Sequence, residues 1–388
     1  MAIAEKKEVT QRNKKKKLLR GGFDLPFFIL VMILLMFGLV MMFSASYVNA
    51  YYTYHDSYYY IKKQIFFALA GIIVMYIVSR VDYHLLHKFV WPIVVVTYAL
   101  LVVVLFLPKI AHVKRWIVIG PINIQPSEIA KFAIAMLFAH LIAVYASKSS
   151  NKMKTFRYGV LPFILVLASI SGLMLLEPHL SGTILILAIG FTLMFVGGTS
   201  LKWFVAGGTL AGSALLVMVL FTNFITYAKS RLTTWIDPFS DPLHGGWQTI
   251  QSLYAIGSGG IMGLGLGNSR QKYLYIAEPQ NDFVFPIVCE ELGLVGAVIV
   301  IILFALLIWR GYVIAMRAPD KFGSLLAVGL ITQVGLQAML NIAVTTNTVP
   351  NTGISLPFFS SGGSSLMMLL FEMGIIMSIS RFSSVEQT

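Results

Sequence analysis

Ten apolar stretches divide this chain, near residues 25–46, 63–80, 89–107, 127–146, 158–176, 181–199, 203–222, 283–309, 322–345 and 362–380. Each is close to the length that a hydrocarbon core of about 30 Å demands of a helix, roughly 20 residues. Lipid offers backbone groups no hydrogen-bond partner, so segments of this length must bond within themselves as helices. The expected fold is therefore an all-α integral membrane protein with ten transmembrane helices. Composition excludes a soluble domain: 57% of residues are hydrophobic, only 12% are charged, and the mean hydropathy is +0.81. The first span has an uninterrupted apolar core and no convincing small-residue cleavage site between Phe43 and Tyr52, so it reads as a retained anchor rather than a signal peptide. The fourth carries Glu128 and Lys131 and is the weakest by hydropathy, yet omitting it would reverse the orientation of everything after it.

Net charge is +13, but the basic residues are spread between apolar spans and form no basic soluble domain, so nucleic acid is not an expected partner. They read as topology signals. With the N-terminus inside, the inner segments hold 19 Lys and Arg and the outer ones 9, which predicts that both termini are cytoplasmic. Residues 1–22 then form a basic cytoplasmic tail, 23–381 one ten-helix domain, and 382–388 a short second tail. The Lys14–Lys17 run suits anchoring at anionic lipid, or docking of a cytoplasmic partner. The single cysteine, Cys289, lies in an apolar run, which rules out an internal disulfide and reads as packing.

Outer connections are long and inner ones short. Residues 223–282 make a large outer loop between the seventh and eighth spans, with smaller ones at 108–126 and 346–361. Loops longer than about 15 residues are usually functional or disordered. This one carries Trp235, Trp247 and Tyr254 among Leu and Ile, so it is expected to fold back onto the membrane surface. Its Gly257-Ser-Gly-Gly260 and Gly263-Leu-Gly-Leu-Gly267 runs lack the preceding strand and the following lysine of a nucleotide loop, and read as turns or close packing. At its end stands Asp282, a carboxylate at the mouth of a membrane helix, where an unpaired charge is costly and a functional site is the default reading. Capping of the following helix is the plain alternative.

A second polar group precedes the fourth span: Lys114-Arg115-Trp116, then Gln125-Pro-Ser-Glu-Ile-Ala-Lys131. Pro126 and Ser127 suit a helix's first turn, and Glu128 and Lys131, three apart, share one face. They form either an ion pair that stabilises the start of the helix or, with Lys114, Arg115 and the helix N-terminus, a site for a lipid phosphate. Two further outer signals are Glu177-Pro-His-Leu-Ser-Gly-Thr183 and Asn351–Ser365. The latter is a Pro/Gly-broken turn whose backbone must be buried in protein or line a cavity, unless its small residues serve helix packing alone. His179 has no second histidine at metal spacing, and His84 with His87 reads as an interfacial helix face.

Taken in order, Arg115-Trp with Gln-Pro-Ser-Glu-x-x-Lys131, Asp237-Pro-x-x-Asp-Pro, Gly-Trp-Gln248, the loop glycines, Asn-Asp282-Phe-x-Phe-x-x-x-x-Glu-Glu-Leu-Gly293 and Leu356-Pro-Phe-x-Ser-x-Gly-Gly-Ser-Ser365 resemble the shape, elongation, division and sporulation family, which includes FtsW, RodA and SpoVE. The resemblance covers nearly the whole chain after the N-terminal tail. It implies a ten-helix peptidoglycan glycosyltransferase that polymerises lipid II on the outer face of the bacterial cytoplasmic membrane. The implied partners are a class B penicillin-binding protein, which is a single-pass transpeptidase, and other division proteins. It matches Asp282 to the family's catalytic aspartate, and Arg115, Gln125, Ser127, Glu128 and Lys131 to its motif residues, with Lys114 and Gln248 beside them. The tail and Glu278-Pro-Gln-Asn-Asp282 look closer to the FtsW and SpoVE branch than to RodA. The chain departs from the family where Pro-Asp-Leu-Gly-Thr is usual, since His179 stands at the acidic position.

Joining an α-linked lipid diphosphate into a β-1,4 glycan requires inversion, hence one displacement with a base on the acceptor 4-hydroxyl. Asp282 is the expected base, and such help is typically worth about 10² to 10⁴ in rate. Arg115, Lys131 and the N-terminus of the fourth helix are expected to stabilise the leaving diphosphate, and a divalent cation of unidentified ligands could assist. A lipid II transporter is the competing class, because Glu290, Glu291, Gln333, Gln337, Asn341 and Glu372 could line a path. It lacks the paired broken helices and internal repeat that such proteins show. A third reading is a scaffold that only activates its transpeptidase.

Overall fold

The structure, a computed structural model, describes residues 22–108, 114–120, 122–149, 151–209, 234–243 and 245–382. Most of the basic tail, the greater part of the seventh span and the start of the large loop, 223–233, lie outside those residues. The chain is an all-α multi-pass membrane protein. Its helices are α1 (Leu25–Tyr54), α2 (Tyr59–Arg80), α3 (Leu86–Phe106), α4 (Pro126–Lys148), α5 (Leu161–Leu176), α6 (Leu180–Val196), α7 (Trp247–Ser258), α8 (Val284–Met316), α9 (Lys321–Thr345) and α10 (Gly363–Phe382). Eight of the described spans are long and apolar enough to cross a membrane, and α6 is a shorter apolar helix. Nine of the ten expected spans coincide with these helices; the tenth, 203–222, is described only as far as 209, where it is helical.

Helix ends follow local chemistry. Asp24 caps α1 by accepting the Phe27 amide at 3.0 Å, and its carboxylate also takes a forked contact from Arg310 of α8, at 2.6 to 3.1 Å. Asp320 caps α9 through the Gly323 amide at 2.9 Å. Helices α4 and α9 form the buried centre: Ala130 to Ala139 are buried without a break, as expected of a helix apolar all round and enclosed by neighbours. Around them, α3 and α6 pack on α4, α8 packs on α9 and α1, and α10 packs on α2. Helices α1 to α3 turn many Ile, Leu, Val and Phe side chains outward, the surface a bilayer would cover.

Three features were not expected from sequence. A short antiparallel hairpin, β1 (Ile117–Ile119) with β2 (Ile122–Ile124), precedes α4. The amphipathic α7 lies within the large loop, buries Ile250, Ser252 and Ala255, and packs on α8, with the Ser252 hydroxyl donating to the Thr345 carbonyl at 2.6 Å. Lastly, α8 is not one helix. At Gly293 the backbone turns to φ 67°, ψ −165°, and the glycine-rich segment runs alongside the break. Leu264 and Gly265 amides donate to the Glu290 and Glu291 carbonyls, and the Leu294 and Val295 amides donate to the carbonyls of Gly260 and Ile261. The break thus frees backbone groups and the loop satisfies them, which is the condition for irregular backbone at this depth. A Cβ at Gly263 or Gly293 would strike the opposing backbone, so close packing, rather than phosphate binding, is the role of these glycines.

Beneath the loop, Glu290 and Glu291 act as pins. Glu291 is wholly buried, pairs with the equally buried Lys272 at 2.7 Å and accepts the Ser44 hydroxyl of α1 at 2.7 Å. Glu290 accepts the Ser269 hydroxyl at 2.5 Å and the Arg270 amide at 2.9 Å.

Candidate active site

Between α9 and α10 the chain leaves helical geometry from Asn351 to Gly362 and turns inward until the Phe358 carbonyl meets Gly38, midway along α1. Side chains from surrounding helices satisfy its backbone. Asn341 donates to the Ile354 carbonyl at 2.6 Å, Gln337 to that of Ser355 at 3.1 Å, and Gln64 to that of Ser360 at 3.1 Å, while the Gln64 side-chain oxygen accepts the Gly362 amide at 3.2 Å. The turn is packed in protein, and its first half walls a cavity of about 260 Å³.

Arg115, Gln125, Ser127, Glu128, Lys131 and Asp282 all line that cavity. Two of the expected site residues do not. The Lys114 ammonium turns back to the Leu105 carbonyl at 2.6 Å, and Gln248 faces Asn351 at 3.4 Å outside the wall, because adjacent positions along a chain point different ways. Lys131 is buried, paired with Glu128 at 2.9 Å and bonded to the Gln337 oxygen at 3.0 Å. The ion pair expected of Glu128 and Lys131 is therefore present, and both of its members line the cavity. Ser127 and Pro126 occupy the first turn of α4, whose free N–H end bears on the same wall.

Asp282 lines the same cavity, two residues before the helical stub that ends at Gly293. Its backbone carbonyl accepts Asn341 Nδ2 at 2.8 Å, the same amide that holds Ile354. Gly353 has φ +65°, and a Cβ there would lie 3.0 Å from Asp282 Oδ2, so the bare glycine makes room for the carboxylate. Phe283 precedes α8 with no side-chain cap, which leaves the Asp282 carboxylate free of the capping role. Burial, with the negative charge of Glu278 nearby, lifts the Asp282 carboxyl from 3.8 to about 6, against the opposing pull of Arg115. Arg115 also lies within electrostatic reach of Glu177 and donates to the Pro178 carbonyl. Glu177 is fully buried with both oxygens unpartnered, and burial pushes its carboxyl up to about 8.

Gln337 and Asn341 are among the six polar residues that could line a path under the competing transporter reading. They position site backbone and Lys131 instead. Glu290 and Glu291 are taken by the loop, and Glu372 accepts Gln333 Nε2 at 3.0 and 3.2 Å. Of those six polar residues only Gln337 lines the cavity. Trp116, Asn281 and Ser355 line it without having been singled out, although Trp116 and Asn281 stood inside quoted motifs. Among the described residues no group of three or more His, Cys, Asp or Glu side chains is arranged to hold a metal ion.

The cavity therefore brings together a carboxylate with a raised pKa, Arg115, the Glu128-paired Lys131 and a helix N-terminus, groups suited to withdrawing a proton and to receiving negative charge. A model of cell-cycle proteins, FTSW_RODA_SPOVE, matches residues 25–385. Stage V sporulation protein E of Bacillus subtilis (strain 168) is 39% identical over 364 residues, 93% of this chain and 97% of that protein. A probable peptidoglycan glycosyltransferase FtsW of Trichlorobacter lovleyi is 37% identical over 362 residues, 92% and 93% of the two chains. Among solved structures, a chain described under the structural coordination of polymerization and crosslinking by a peptidoglycan synthase complex superposes with a TM-score of 0.76 at 26% identity, covering 92% of this chain and 98% of that one. The rod shape determining protein RodA of Thermus thermophilus gives 0.67 at 25%, covering 92% and 97%.

Proposed function

The chain belongs to the FtsW, RodA and SpoVE family of cell-cycle proteins, and on that footing we propose that it is a peptidoglycan glycosyltransferase in which Asp282 acts on lipid II from one wall of the cavity while Arg115 and Lys131 act from the other. The observation that carries this reading is the single cavity shared by Asp282, Arg115 and Lys131.

In the reaction, Asp282 accepts the proton of the acceptor sugar's 4-hydroxyl as that oxygen attacks the anomeric carbon of the donor. The bond from that carbon to the lipid diphosphate breaks on the opposite face, so configuration inverts. A carboxyl near pKa 6 is mostly ionised at neutral pH and still basic enough to share the proton in the transition state. Negative charge grows on the leaving diphosphate, where Arg115, Lys131 and the first-turn amides of α4 receive it. Asn341 and Gly353 fix the base, the first by holding the Asp282 carbonyl and the second by leaving space for its carboxylate.

Ten transmembrane helices, an outward-facing cavity and two cytoplasmic termini complete this reading, supported by the Lys and Arg distribution and by the nine expected spans found as helices. The relatives include sporulation and FtsW proteins, which favours septal cell-wall synthesis over a RodA-type role in elongation. A class B penicillin-binding protein is the proposed partner, in line with the synthase complex among the structural neighbours. Reconstitution of the purified chain with labelled lipid II, alone and with that transpeptidase, tests the proposal. Glycan polymer is expected from the wild type and none from Asp282→Asn. Undiminished polymer from the variant defeats the assignment of the base; translocation without polymer would make the protein a transporter, and activity found only in the partner would make it a scaffold.

A further inference from the structure

His179 stands just before α6, and its backbone is fully engaged: its amide donates to the Met174 carbonyl at 3.0 Å, and its carbonyl accepts the Thr183 amide at 3.1 Å and the Thr183 hydroxyl at 2.9 Å. Its side chain does none of this local work. It does not cap α6, it is 7% exposed, it lines the cavity, and its Nδ1 is buried with no partner. The ring lies against Gly182, where a Cβ would come within 2.7 to 2.9 Å of its atoms. The bare helix face thus provides the slot that holds the imidazole. On the same cavity lies a second buried orphan, the Ser127 hydroxyl of α4. Buried polar groups without partners are few in folded proteins, and these two, with Arg115 Nε as a third on the same cavity, mark where a ligand's polar groups belong.

The chemistry of the pair narrows the ligand. Burial, with the positive charges of Arg115 and Lys131, drives the imidazole down to about 3, so it is neutral throughout the range in which cells live. A neutral imidazole and a hydroxyl each offer donor and acceptor capacity but no charge. The cations on this wall already match a diphosphate. The uncharged pair matches what is attached to it, a pyranose bearing hydroxyl and acetamido groups. The site also stands beside the reacting end, because the Ser181 hydroxyl reaches the Gly353 carbonyl at 3.4 Å and Gly353 in turn abuts Asp282.

Resting on the glycosyltransferase reading, we infer that His179, with Ser127, forms a sugar-reading subsite that hydrogen-bonds a neutral group of the N-acetylated sugar next to the lipid diphosphate. A residue that makes such a bond from a buried position gives strong discrimination, because an analogue lacking the group leaves the protein atom unpaired.

The test measures equilibrium binding of lipid II, and of an analogue with hydroxyl in place of acetamido on the diphosphate-bearing sugar, to full-length protein carrying Asp282→Asn so that nothing turns over. That protein is expected to prefer lipid II by tenfold or more. Adding His179→Ala is expected to weaken lipid II binding about tenfold and bring the two ligands within a factor of two or three, while His179→Gln restores part of the preference. An unchanged preference in a folded His179→Ala protein overturns the inference. Should that variant fail to fold, Gly182→Ala, which displaces the ring and keeps its polar atoms, must reduce the preference, and if it does not the inference falls. Failure of the parent protein to bind lipid II at all would instead defeat the functional reading beneath it.

Discussion

Replacing Asp282 by asparagine should make the protein more stable at neutral pH while removing its activity. Its carboxyl rises from 3.8 to about 6 in the folded chain, so folded protein holds a proton that the unfolded chain has released. The associated stability is fully present below about pH 4 and is lost as pH rises through 6. A shift of about two units corresponds to about 3 kcal/mol at 1.36 kcal/mol per unit, and allowing for water reaching the cavity leaves about 2. Asparagine carries no such penalty. Thermal unfolding of both proteins in the same detergent, between pH 4.5 and 7.5, isolates the effect, since the Glu177 carboxyl is common to both and cancels in the difference. The midpoint of Asp282→Asn minus that of wild type should grow by roughly 2 °C from the acid to the neutral end, as expected for a chain of 388 residues. A difference that is flat, or that shrinks as pH rises, would refute the reasoning, because it would mean that the ionised carboxylate is held by stabilising bonds.

Further outcomes concern the same architecture. The kcat/KM of wild-type polymerisation should rise with pH to a plateau, with a limb near pH 6, since the base works only when ionised; a rate independent of pH between 5 and 7 would contradict it. Gly353→Ala should lower polymerisation by about tenfold to a hundredfold with a much smaller effect on the unfolding midpoint, because its methyl meets Asp282 Oδ2 at 3.0 Å; equal activity would show that the carboxylate has slack. Lys272→Met or Glu291→Leu alone should destabilise by about 3 to 5 kcal/mol, each leaving a buried charge without its partner. The double variant should recover most of that loss in thermal unfolding, and additive losses would argue against the pair as a unit.

The spans were readable because hydrocarbon imposes one length and one polarity on whatever crosses it. The hairpin also had a local signal, since Ile117-Val-Ile-Gly-Pro-Ile-Asn-Ile124 places a turn dipeptide between two β-prone triplets. The break at Gly293 did not stand out from an apolar run that continues to Met316, because the groups satisfying it come from residues some thirty positions earlier. Residues that line the cavity were legible where they clustered in motifs, as around Lys131 and Asp282. They were misjudged where orientation decides, as with Lys114 and Gln248. Gly353 beside Asp282, and Gln337 beside Lys131, arise only when distant segments meet. Glu290 and Glu291 looked like path-lining acids because sequence shows a charge in an apolar run but not the lysine, serines and amides that occupy it.

The discontinuity in α8 also separates two mechanical roles. Residues 294–316 are long enough to span the bilayer by themselves, at about 1.5 Å per residue. Their tilt must follow hydrocarbon thickness and neighbouring helices. An unbroken helix would carry that tilt directly into the segment that bears Asp282. Here the rod is interrupted at Gly293, and the stub above it is fastened sideways, through Glu290 and Glu291, to the glycine loop and α1. Asp282, whose carbonyl is held by Asn341 of α9, is therefore braced by α1, α9 and the loop, so the lower span can adjust without carrying it directly.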